Sequence, residues 1–338
     1  MSYQINVQPG GQQFAANADE SILEAALRQG LTMPYGCRDG ACGACKGKVL
    51  SGSVDHGKAQ AHALKDEEKA AGLALYCCAR AQSDLSIECR QMGSANDIPV
   101  KTLPVRIEKL EKLAPDAIAL HLRLPANERL QFLAGQYIDI LLKDGKRRSF
   151  SLANAPHDDA FLQLHIRHVP GGLFTGQVFS TMKVRDIMRI NGPHGTFTLR
   201  EESPKPMILL AGGTGFAPIK AIVEHALAEN CQRPMTIYWG ARTKVDLYQT
   251  ALPEAWAAQH GHIKYVPVLS EPAADDGWQG RTGFVHQAVM TDFPDLSGHQ
   301  VYACGAPVMI DAAQRDFTTV CGLPEGEFFA DSFTFQTT

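Results

Sequence analysis

The spacing of hydrophobic and polar residues changes character twice along the chain. Residues 3–50 combine strand-like alternation with a short helical stretch and a glycine-rich loop, and Ser21 with Glu24 predicts a capping box at the start of that helix. Residues 105–199 contain short runs with period-two alternation, such as 117–124, which predict antiparallel strands. In the last third, buried strands alternate with helices, a rhythm typical of a parallel sheet.

These changes predict a multidomain α+β and α/β protein. A length of 338 residues favours two or three domains, each able to bury its own core. We predict an N-terminal domain over residues 1–92, an aperiodic linker over 93–101, an antiparallel β-barrel over 102–201, and a Rossmann-like domain with a parallel sheet over 202–338.

Composition and charge narrow the class of partner. The 32 Lys and Arg residues are scattered and the net charge is −4, which argues against nucleic acid and favours a protein or small-molecule partner. No stretch reaches the 18 or so apolar residues of a membrane span, and the first residues lack the basic and apolar segments of a signal peptide. The sequence therefore predicts a cytoplasmic protein that does not enter a membrane.

Nine cysteines, most of them between residues 37 and 89, point to metal chemistry. An odd number in a chain without an export signal does not suggest a disulfide framework. Cys37, Cys42 and Cys45 have the spacing C-x4-C-x2-C, and Cys77 follows after 31 intervening residues, which is the plant-type arrangement for a 2Fe-2S cluster. A structural zinc site is the alternative, although such sites favour two close cysteine pairs. Cys78 is an alternative fourth ligand.

The segment 72–77 matches the one that carries the last ligand in ferredoxins, and residues 1–90 resemble a plant-type ferredoxin domain. The resemblance implies a β-grasp fold with Cys77 as the fourth ligand. Cys78 and Cys89 are then expected to be buried as small hydrophobic residues.

The predicted barrel contains motifs that resemble the flavin site of the ferredoxin-NADP reductase superfamily. They are Arg148-Ser149-Phe150-Ser151, Gly171-Gly172-Leu173-Phe174-Thr175 and Gly192-Pro193-His194-Gly195. The resemblance implies FAD, with Arg148 on the pyrophosphate, Phe150 against the flavin and Ser151 near the ring nitrogen that accepts hydride. Gly171, Gly172 and Thr175 would offer N-H groups and a hydroxyl to the diphosphate at a helix start. The alternatives are an inward strand residue for Phe150 and a plain turn at 192–195.

In the last third, a buried strand leads into Gly212-Gly213-Thr214-Gly215 and then a helix with Pro218 in its first turn. A glycine loop between strand and helix suits a phosphate. It matches the G-G-T-G-x-A-P loop of the same superfamily, which implies binding of the NAD pyrophosphate by Gly212, Gly213, Thr214, Gly215 and Pro218. Cys304 and Gly305 resemble a second motif of the superfamily, in which the cysteine approaches the nicotinamide carbon; an inert core thiol is the alternative for Cys304.

Two further residues complete the predicted cofactor sites. Arg242 lies in a segment that resembles the superfamily's motif near the adenosine ribose. No basic cluster for a 2′-phosphate stands out, which favours NADH, although Arg242 and Lys244 leave NADPH open. Phe333 is the candidate aromatic that covers the flavin, with a packed core residue as the alternative.

The resemblance covers nearly the whole chain and is strongest to the CDP-6-deoxy-3,4-glucoseen reductases. Reductase components of aromatic-ring oxygenases have a similar layout. The resemblance implies electron transfer from NADH through FAD and the 2Fe-2S cluster to a protein acceptor, with Ser151 and Cys304 at the catalytic centre. The acceptor is a sugar dehydrase or an oxygenase component that docks near Arg38 and Asp39, and the reductase alone is expected to be a monomer. A redox sensor without turnover is the alternative from another class.

Overall fold

The structure, a computed structural model, describes residues 2–89, 93–94 and 98–333. The chain divides into two compact units, residues 1–99 and residues 100–338. The second unit contains both the barrel and the parallel-sheet domain predicted from the sequence.

The first unit is a mixed five-stranded sheet in the order β2-β1-β8-β4-β6, with helix α1 packed beside β2. Its strands are β1 (Ser2–Gln8), β2 (Gln13–Asn17), β3 (Leu31–Thr32), β4 (Lys46–Ser51), β5 (Val54–Asp55), β6 (Leu73–Leu75), β7 (Arg80–Ala81), β8 (Leu85–Glu88) and β9 (Gly93–Ser94), and its helices are α1 (Ile22–Arg28) and α2 (Asp66–Ala70). The predicted capping box is confirmed, because Ser21 Oγ accepts from the Glu24 N-H and the Glu24 carboxylate accepts from the Ser21 N-H.

The predicted linker differs from the structure at its start. Gly93 and Ser94 form β9, which pairs antiparallel with β3. Residues 95–97 of that linker lie outside the described residues. A two-residue strand without hydrophobic alternation gives no period to detect, so its pairing was not predictable from the sequence.

The barrel is a six-stranded antiparallel sheet in the order β13-β12-β15-β10-β11-β14. Its strands are β10 (Lys101–Ala114), β11 (Ala117–Arg123), β12 (Tyr137–Leu141), β13 (Arg147–Ser151), β14 (Leu162–Arg167) and β15 (Ile187–His194), and its helix is α3 (Leu173–Ser180). A bridge between Leu152 and Leu164 joins the two edges and closes the sheet. Alternate residues such as Leu120 and Leu122 are fully buried inside.

The C-terminal domain is a parallel sheet in the order β19-β18-β17-β16-β20-β21. Its strands are β16 (Met207–Gly212), β17 (Met235–Ala241), β18 (Ile263–Leu269), β19 (Arg281–Thr282), β20 (Gln300–Gly305) and β21 (Phe328–Ser332), and its helices are α4 (Phe216–Ala228), α5 (Ala251–Gln259), α6 (Val285–Asp292) and α7 (Pro307–Thr319). Ligands of such sheets bind at the carboxyl ends of the strands, which is where the predicted glycine loop lies.

The helices are short. The longest, α4 and α7, each have 13 residues. Within the described part of the chain, no helix is both long and apolar enough to cross a membrane.

Candidate functional site

The cysteine loop before β4 is shaped by residues with left-handed backbone. Arg38 has φ 59° and Gly40 has φ 72°. A Cβ at Gly40 would lie 2.7 Å from Cys78 Sγ and 3.0 Å from the Lys58 carbonyl oxygen, so only glycine fits there. The Ala41 carbonyl accepts a hydrogen bond from His62 Nε2 at 2.9 Å, and Lys58 pairs with Asp39 at 3.0 Å. Lys58 and His62, which lie outside the loop, therefore hold its backbone in place, while its thiols face inward.

The four predicted ligand thiols form two pairs. The Cys37 N-H contacts Cys42 Sγ at 3.3 Å, and the Cys77 N-H contacts Cys45 Sγ at 3.5 Å. A hydrogen bond from Cys42 lowers the pKa of the Cys37 thiol, and one from Cys45 lowers the pKa of Cys77. Among the described residues, no group of three or more His, Cys, Asp or Glu side chains surrounds a single ion. Two thiol pairs, brought together from the loop and the start of the segment after β6, fit a cluster with two irons.

The Cys78 thiol lies next to the Cys77 thiol, on the side of Gly40. Its Sγ is 3.6 Å from Cys77 Sγ, and it packs against Gly40. Burial and the hydrogen bond to Cys77 raise the pKa of the Cys78 thiol. Its burial suits the predicted role of a small buried residue, whereas the raised pKa does not set it apart, since the pKa values of the Cys42 and Cys45 thiols are raised as well.

The R-S-F-S motif forms β13 and faces the start of α3. The Phe150 and Phe174 rings lie 5.3 Å apart and tilted, which presents an aromatic surface beside the strand. Arg148 is half-buried, and its guanidinium donates to the Arg147 carbonyl. Ser151 is buried at the end of the strand. The strand thus carries an arginine fork, an aromatic face and a hydroxyl, groups that suit a phosphate and a planar ring.

The second flavin motif forms the helix start that was predicted. Gly171 has φ 76°, and Gly172 is the residue before α3, without a capping side chain. The Thr175 hydroxyl is buried and bonds to the Val169 N-H and carbonyl, which differs from the predicted contact with a diphosphate. The backbone N-H groups of the first turn are what this helix start offers to a phosphate.

The glycine loop that follows β16 fits tightly against β20. A Cβ at Gly215 would lie 2.1 Å from the Cys304 carbonyl oxygen, and one at Gly212 would lie 2.7 Å from Met309 Sδ. Gly213, Thr214 and Gly215 form a single 3₁₀ turn that runs into α4, and Pro218 is buried in the first turn of that helix. The N-H groups of this turn are what the loop offers to a pyrophosphate.

Ser151, Asp331 and Cys304 come together where the barrel meets the parallel sheet. The Ser151 hydroxyl donates to Asp331 Oδ2 at 3.1 Å, and all three residues are buried. In the parallel pairing of β20 with β21, Cys304 stands opposite Asp331. Burial, reinforced by the charge of Asp331, raises the pKa of the Cys304 thiol, which keeps it neutral. The structure thus brings both predicted catalytic residues to one point.

Asp331 is a buried residue of this site that the sequence analysis did not single out. Burial raises its pKa to about 6, against an opposing contribution from the Ser151 hydrogen bond. Lys220 was missed in the same way: its ammonium is buried and donates to the Ala153 carbonyl of the barrel at 2.9 Å. A carboxylate at the end of a hydrophobic run and a lysine inside a helix were the only signals, and neither is specific.

Replacement of Asp331 should change how stability depends on pH. Because the pKa of about 6 in the folded protein exceeds the ordinary 3.8, the folded state binds the proton more tightly than the unfolded state. The resulting penalty is absent below about pH 4, grows up to about pH 6 and is constant above. At roughly 1.4 kcal/mol per pH unit, Asp331→Asn should gain about 3 kcal/mol of unfolding free energy over the wild type between pH 4 and pH 7.

Urea unfolding followed by tryptophan fluorescence measures this difference, since the three tryptophans, Trp239, Trp256 and Trp278, lie in the same domain. The exposed Asp275→Asn variant is the control and should track the wild type at every pH. An Asp331→Asn curve parallel to the wild type would show that this carboxyl is ionised as easily in the folded chain as in the unfolded one.

The two remaining predicted residues lie at the edge of this site. The Phe333 N-H donates to the Gly305 carbonyl at 2.8 Å, and its half-buried ring packs against the hydrophobic core of the parallel-sheet domain. Arg242 is exposed directly after β17. Ser332 has a buried hydroxyl without a hydrogen-bond partner among the described residues. An unsatisfied polar atom beside Asp331 is typical of a site that a ligand completes.

The residues present fit the three groups that the motifs imply. Cys37, Cys42, Cys45 and Cys77 would hold the cluster, the β13 and α3 residues the FAD, and the loop at 212–215 the nicotinamide dinucleotide. When bound, the flavin supplies the chemistry that converts a hydride into single electrons. The protein's own residues orient the reacting rings and bury the Ser151-Asp331-Cys304 group away from water.

Comparison with protein families finds three matching domain models. A 2Fe-2S iron-sulfur cluster binding domain matches residues 5–82, an oxidoreductase FAD-binding domain residues 104–199, and an oxidoreductase NAD-binding domain residues 209–315. The order is the one predicted from the motifs.

Similar proteins align along nearly the whole chain. The CDP-6-deoxy-L-threo-D-glycero-4-hexulose-3-dehydrase reductase of Yersinia pestis is 43% identical over 98% of this chain and 99% of that protein. The reductase component of a Pseudomonas phenol 2-monooxygenase is 37% identical over 93% of this chain and 89% of its own length. Among solved structures, the Amycolatopsis cytochrome P450 reductase is 35% identical with a TM-score of 0.80, over 99% of this chain and 100% of that one.

Proposed function

The chain belongs to the ferredoxin-NADP reductase superfamily, among the reductases with an N-terminal 2Fe-2S domain, and on that premise we propose that it delivers electrons to a sugar dehydrase. It is an NAD(P)H-dependent oxidoreductase with FAD and a 2Fe-2S cluster. The observation that supports the acceptor is the 43% identity over 98% of the chain to a reductase named for a CDP-hexulose dehydrase, against 37% to a phenol monooxygenase component. By its family, the acceptor is a pyridoxamine-dependent dehydrase of deoxysugar formation.

We propose these roles for the site residues. Cys37, Cys42, Cys45 and Cys77 are the iron ligands. Arg148, Phe150, Gly171, Gly172, Thr175 and Phe333 belong to the FAD site, with Thr175 supporting the helix start from within. Gly212, Gly213, Thr214, Gly215, Pro218, Arg242 and Gly305 belong to the dinucleotide site, and Ser151 and Cys304 flank the path of the hydride. The contacts described above support the cluster, β13 and glycine-loop assignments, and those of Arg242 and Phe333 rest on the resemblance of their motifs.

The acceptor would dock over the cysteine loop. Electrons leave the cluster at its most exposed side, and the half-buried residues Cys37, Arg38 and Asp39 line that side of the loop. The Lys58–Asp39 ion pair stiffens the surface that the acceptor would meet. We further propose that the reductase is a monomer when no acceptor is bound.

Reconstitution with candidate acceptors tests the proposal. With NADH under anaerobic conditions, the loaded reductase should reduce a sugar dehydrase at least about tenfold faster than it reduces an oxygenase component, which requires a preference of only about 1.4 kcal/mol. Reduction of the oxygenase alone would assign the chain to the oxygenase reductases. Loaded protein that fails to oxidise NADH with ferricyanide or cytochrome c would instead support a redox sensor.

We predict that NADH is preferred over NADPH. The acidic residue Glu271 lies beside Arg242, because the Glu271 N-H donates to the Arg242 carbonyl. The Lys244 ammonium donates to the backbone carbonyl of Asp276 at 3.3 Å. The Glu271 carboxylate, next to Arg242, would repel a 2′-phosphate, while a ribose hydroxyl carries no charge. The kcat/KM for NADH should exceed that for NADPH by at least about tenfold. Glu271→Gln should lower the ratio of kcat/KM for NADH to that for NADPH. Equal kcat/KM values for the two cofactors in the wild type would contradict the prediction.

Two further proposals concern the cellular location and the domain boundaries. All nine cysteines, each within the described residues, are free thiols, as expected in a reducing compartment, and we propose the cytoplasm. The boundaries at residues 92, 101 and 201 stay a prediction.

A further inference from the structure

A row of aromatic side chains runs from the barrel to the glycine loop. It begins at His165 on β14, whose Nδ1 lies 3.1 Å from the Tyr248 hydroxyl, with the two rings edge to face at 5.4 Å. Only 5% of His165 is exposed. Burial lowers the pKa of His165 to about 3, so the ring is neutral and one nitrogen is a hydrogen-bond acceptor. The barrel thus holds the tyrosine from the C-terminal domain through one directed contact.

Tyr248 in turn fixes an indole. Its ring meets Trp239 edge to face at 5.1 Å, and the other face of Trp239 lies flat on Phe216 at 3.9 Å with an interplanar angle of 9°. Trp239 and Phe216 are fully buried. An indole confined by one edge contact and one stacked contact has a single orientation.

The indole N-H is aimed at the glycine loop. Trp239 Nε1 donates to the Gly213 carbonyl at 2.9 Å. The peptide between Gly213 and Thr214 is trans, so its carbonyl and its N-H point in opposite directions. A carbonyl held by the indole, and also by the Phe216 N-H of the turn, therefore turns the Thr214 N-H to the side opposite these two donors. Strand β14 lies directly against this turn.

The His165 end of the row destabilises the fold. His165 Nε2 is buried and has no partner among the described residues, which destabilises the folded state. The residue directly opposite on β11 is the fully buried Ala119, so an aliphatic side chain could pack against it without that cost. What histidine supplies and an aliphatic residue does not is the bond to Tyr248.

We propose that His165, Tyr248 and Trp239 are positioning residues for the nicotinamide dinucleotide: the histidine of the flavin barrel sets, through the tyrosine and the indole, the peptide that receives the pyrophosphate. The proposal rests on the dinucleotide site proposed above. It makes the geometry of the nucleotide loop depend on contact with the flavin domain, so that the hydride donor is aligned only when the two domains are correctly packed.

Variants that remove one partner of the His165–Tyr248 hydrogen bond test the proposal in the full-length, cofactor-loaded protein. Tyr248→Phe deletes only the hydroxyl, and His165→Ala deletes its partner. Each should raise the dissociation constant of NAD⁺, measured by titration of the oxidised protein, about three- to tenfold, as expected for one hydrogen bond. The double variant should bind NAD⁺ no more weakly than the weaker single variant, because both changes break one bond.

Two further variants separate positioning from packing. In His165→Asn the amide oxygen can accept the tyrosine proton, and affinity should return to within about twofold of the wild type. Tyr265→Phe removes a hydroxyl that bonds to Thr250 in the same domain, away from the barrel, and should leave NAD⁺ binding unchanged. Cluster and flavin spectra should match the wild type in every variant.

Wild-type affinity in Tyr248→Phe would overturn the proposal, as would additive losses in the double variant. Should His165→Ala fail to fold, Tyr248→Phe and His165→Asn decide the question without it. A wild-type protein that binds no NAD⁺ would overturn the dinucleotide site itself, a result distinct from the failure of this inference.

Discussion

Cys77→Ser is expected to abolish assembly of the 2Fe-2S cluster while leaving NADH oxidation by the flavin intact. The variant should reduce cytochrome c at least about 100-fold more slowly, beyond the 10- to 100-fold losses typical of residues that only support a metal ligand. Reduction of ferricyanide, which takes electrons from the flavin, should stay within about twofold of the wild type. Iron and sulfide analysis with the visible spectrum gives the cluster content.

Cys78→Ser is the matched control, because it changes the neighbouring thiol by the same single atom. Cys78 packs behind Cys77 against Gly40, so its variant should keep the cluster. A normal cluster in Cys77→Ser together with a lost cluster in Cys78→Ser would show that Cys78, and not Cys77, is the fourth iron ligand.

Gly215→Ala is expected to uncouple NADH from the flavin. The added methyl would lie 2.1 Å from the Cys304 carbonyl oxygen and 2.6 Å from the carbonyl carbon, and these backbone atoms cannot rotate away. The loop must shift instead, and a displacement of about 1 Å in a hydride-transfer geometry costs about 100-fold. The limiting rate of flavin reduction in stopped-flow mixing with NADH should fall by that factor, while flavin and cluster contents stay unchanged.

Gly261→Ala provides the comparison in the same domain. A Cβ at Gly261 meets nothing within 4 Å, so this variant should reduce its flavin at the wild-type rate. If Gly215→Ala reduced its flavin as fast as Gly261→Ala, the loop would not be the element that places the nicotinamide.

Local patterns predicted most of the fold. The alternation at 117–124 and 161–167 corresponds to β11 and β14, because each strand buries one face inside the barrel. The capping box at Ser21 marks the start of α1, since its hydrogen bonds involve only residues three apart. Cysteine spacing and glycine loops predicted the cofactor classes, because these ligands impose fixed residue types on short segments.

Long-range pairings were not predictable in this way. The run that ends at Phe333 was expected to cover the flavin, and the structure shows most of it as β21, an edge strand paired with β20. Only that pairing places Asp331 opposite Cys304 and within reach of Ser151, a residue 180 positions earlier. His165 likewise looked like one polar residue in an alternating strand, and its meaning depends on Tyr248 from another domain.

The site residues divide into two groups with different tasks. Ser151, Asp331 and Cys304 form the buried point where the barrel meets the parallel sheet, and we propose that the hydride chemistry is confined there. The four cysteines form the exit, in a separate unit of the chain. Variants at the first group should slow flavin reduction, and variants at the second should block only the onward transfer.

Anaerobic stopped-flow mixing of the loaded protein with NADH, sampled by visible absorption and by electron paramagnetic resonance, tests the central claim most directly. The account predicts that the flavin loses its colour first and that the signal of a reduced 2Fe-2S cluster then appears without any added reductant. A flavin that NADH reduces fully while the cluster stays oxidised would contradict it.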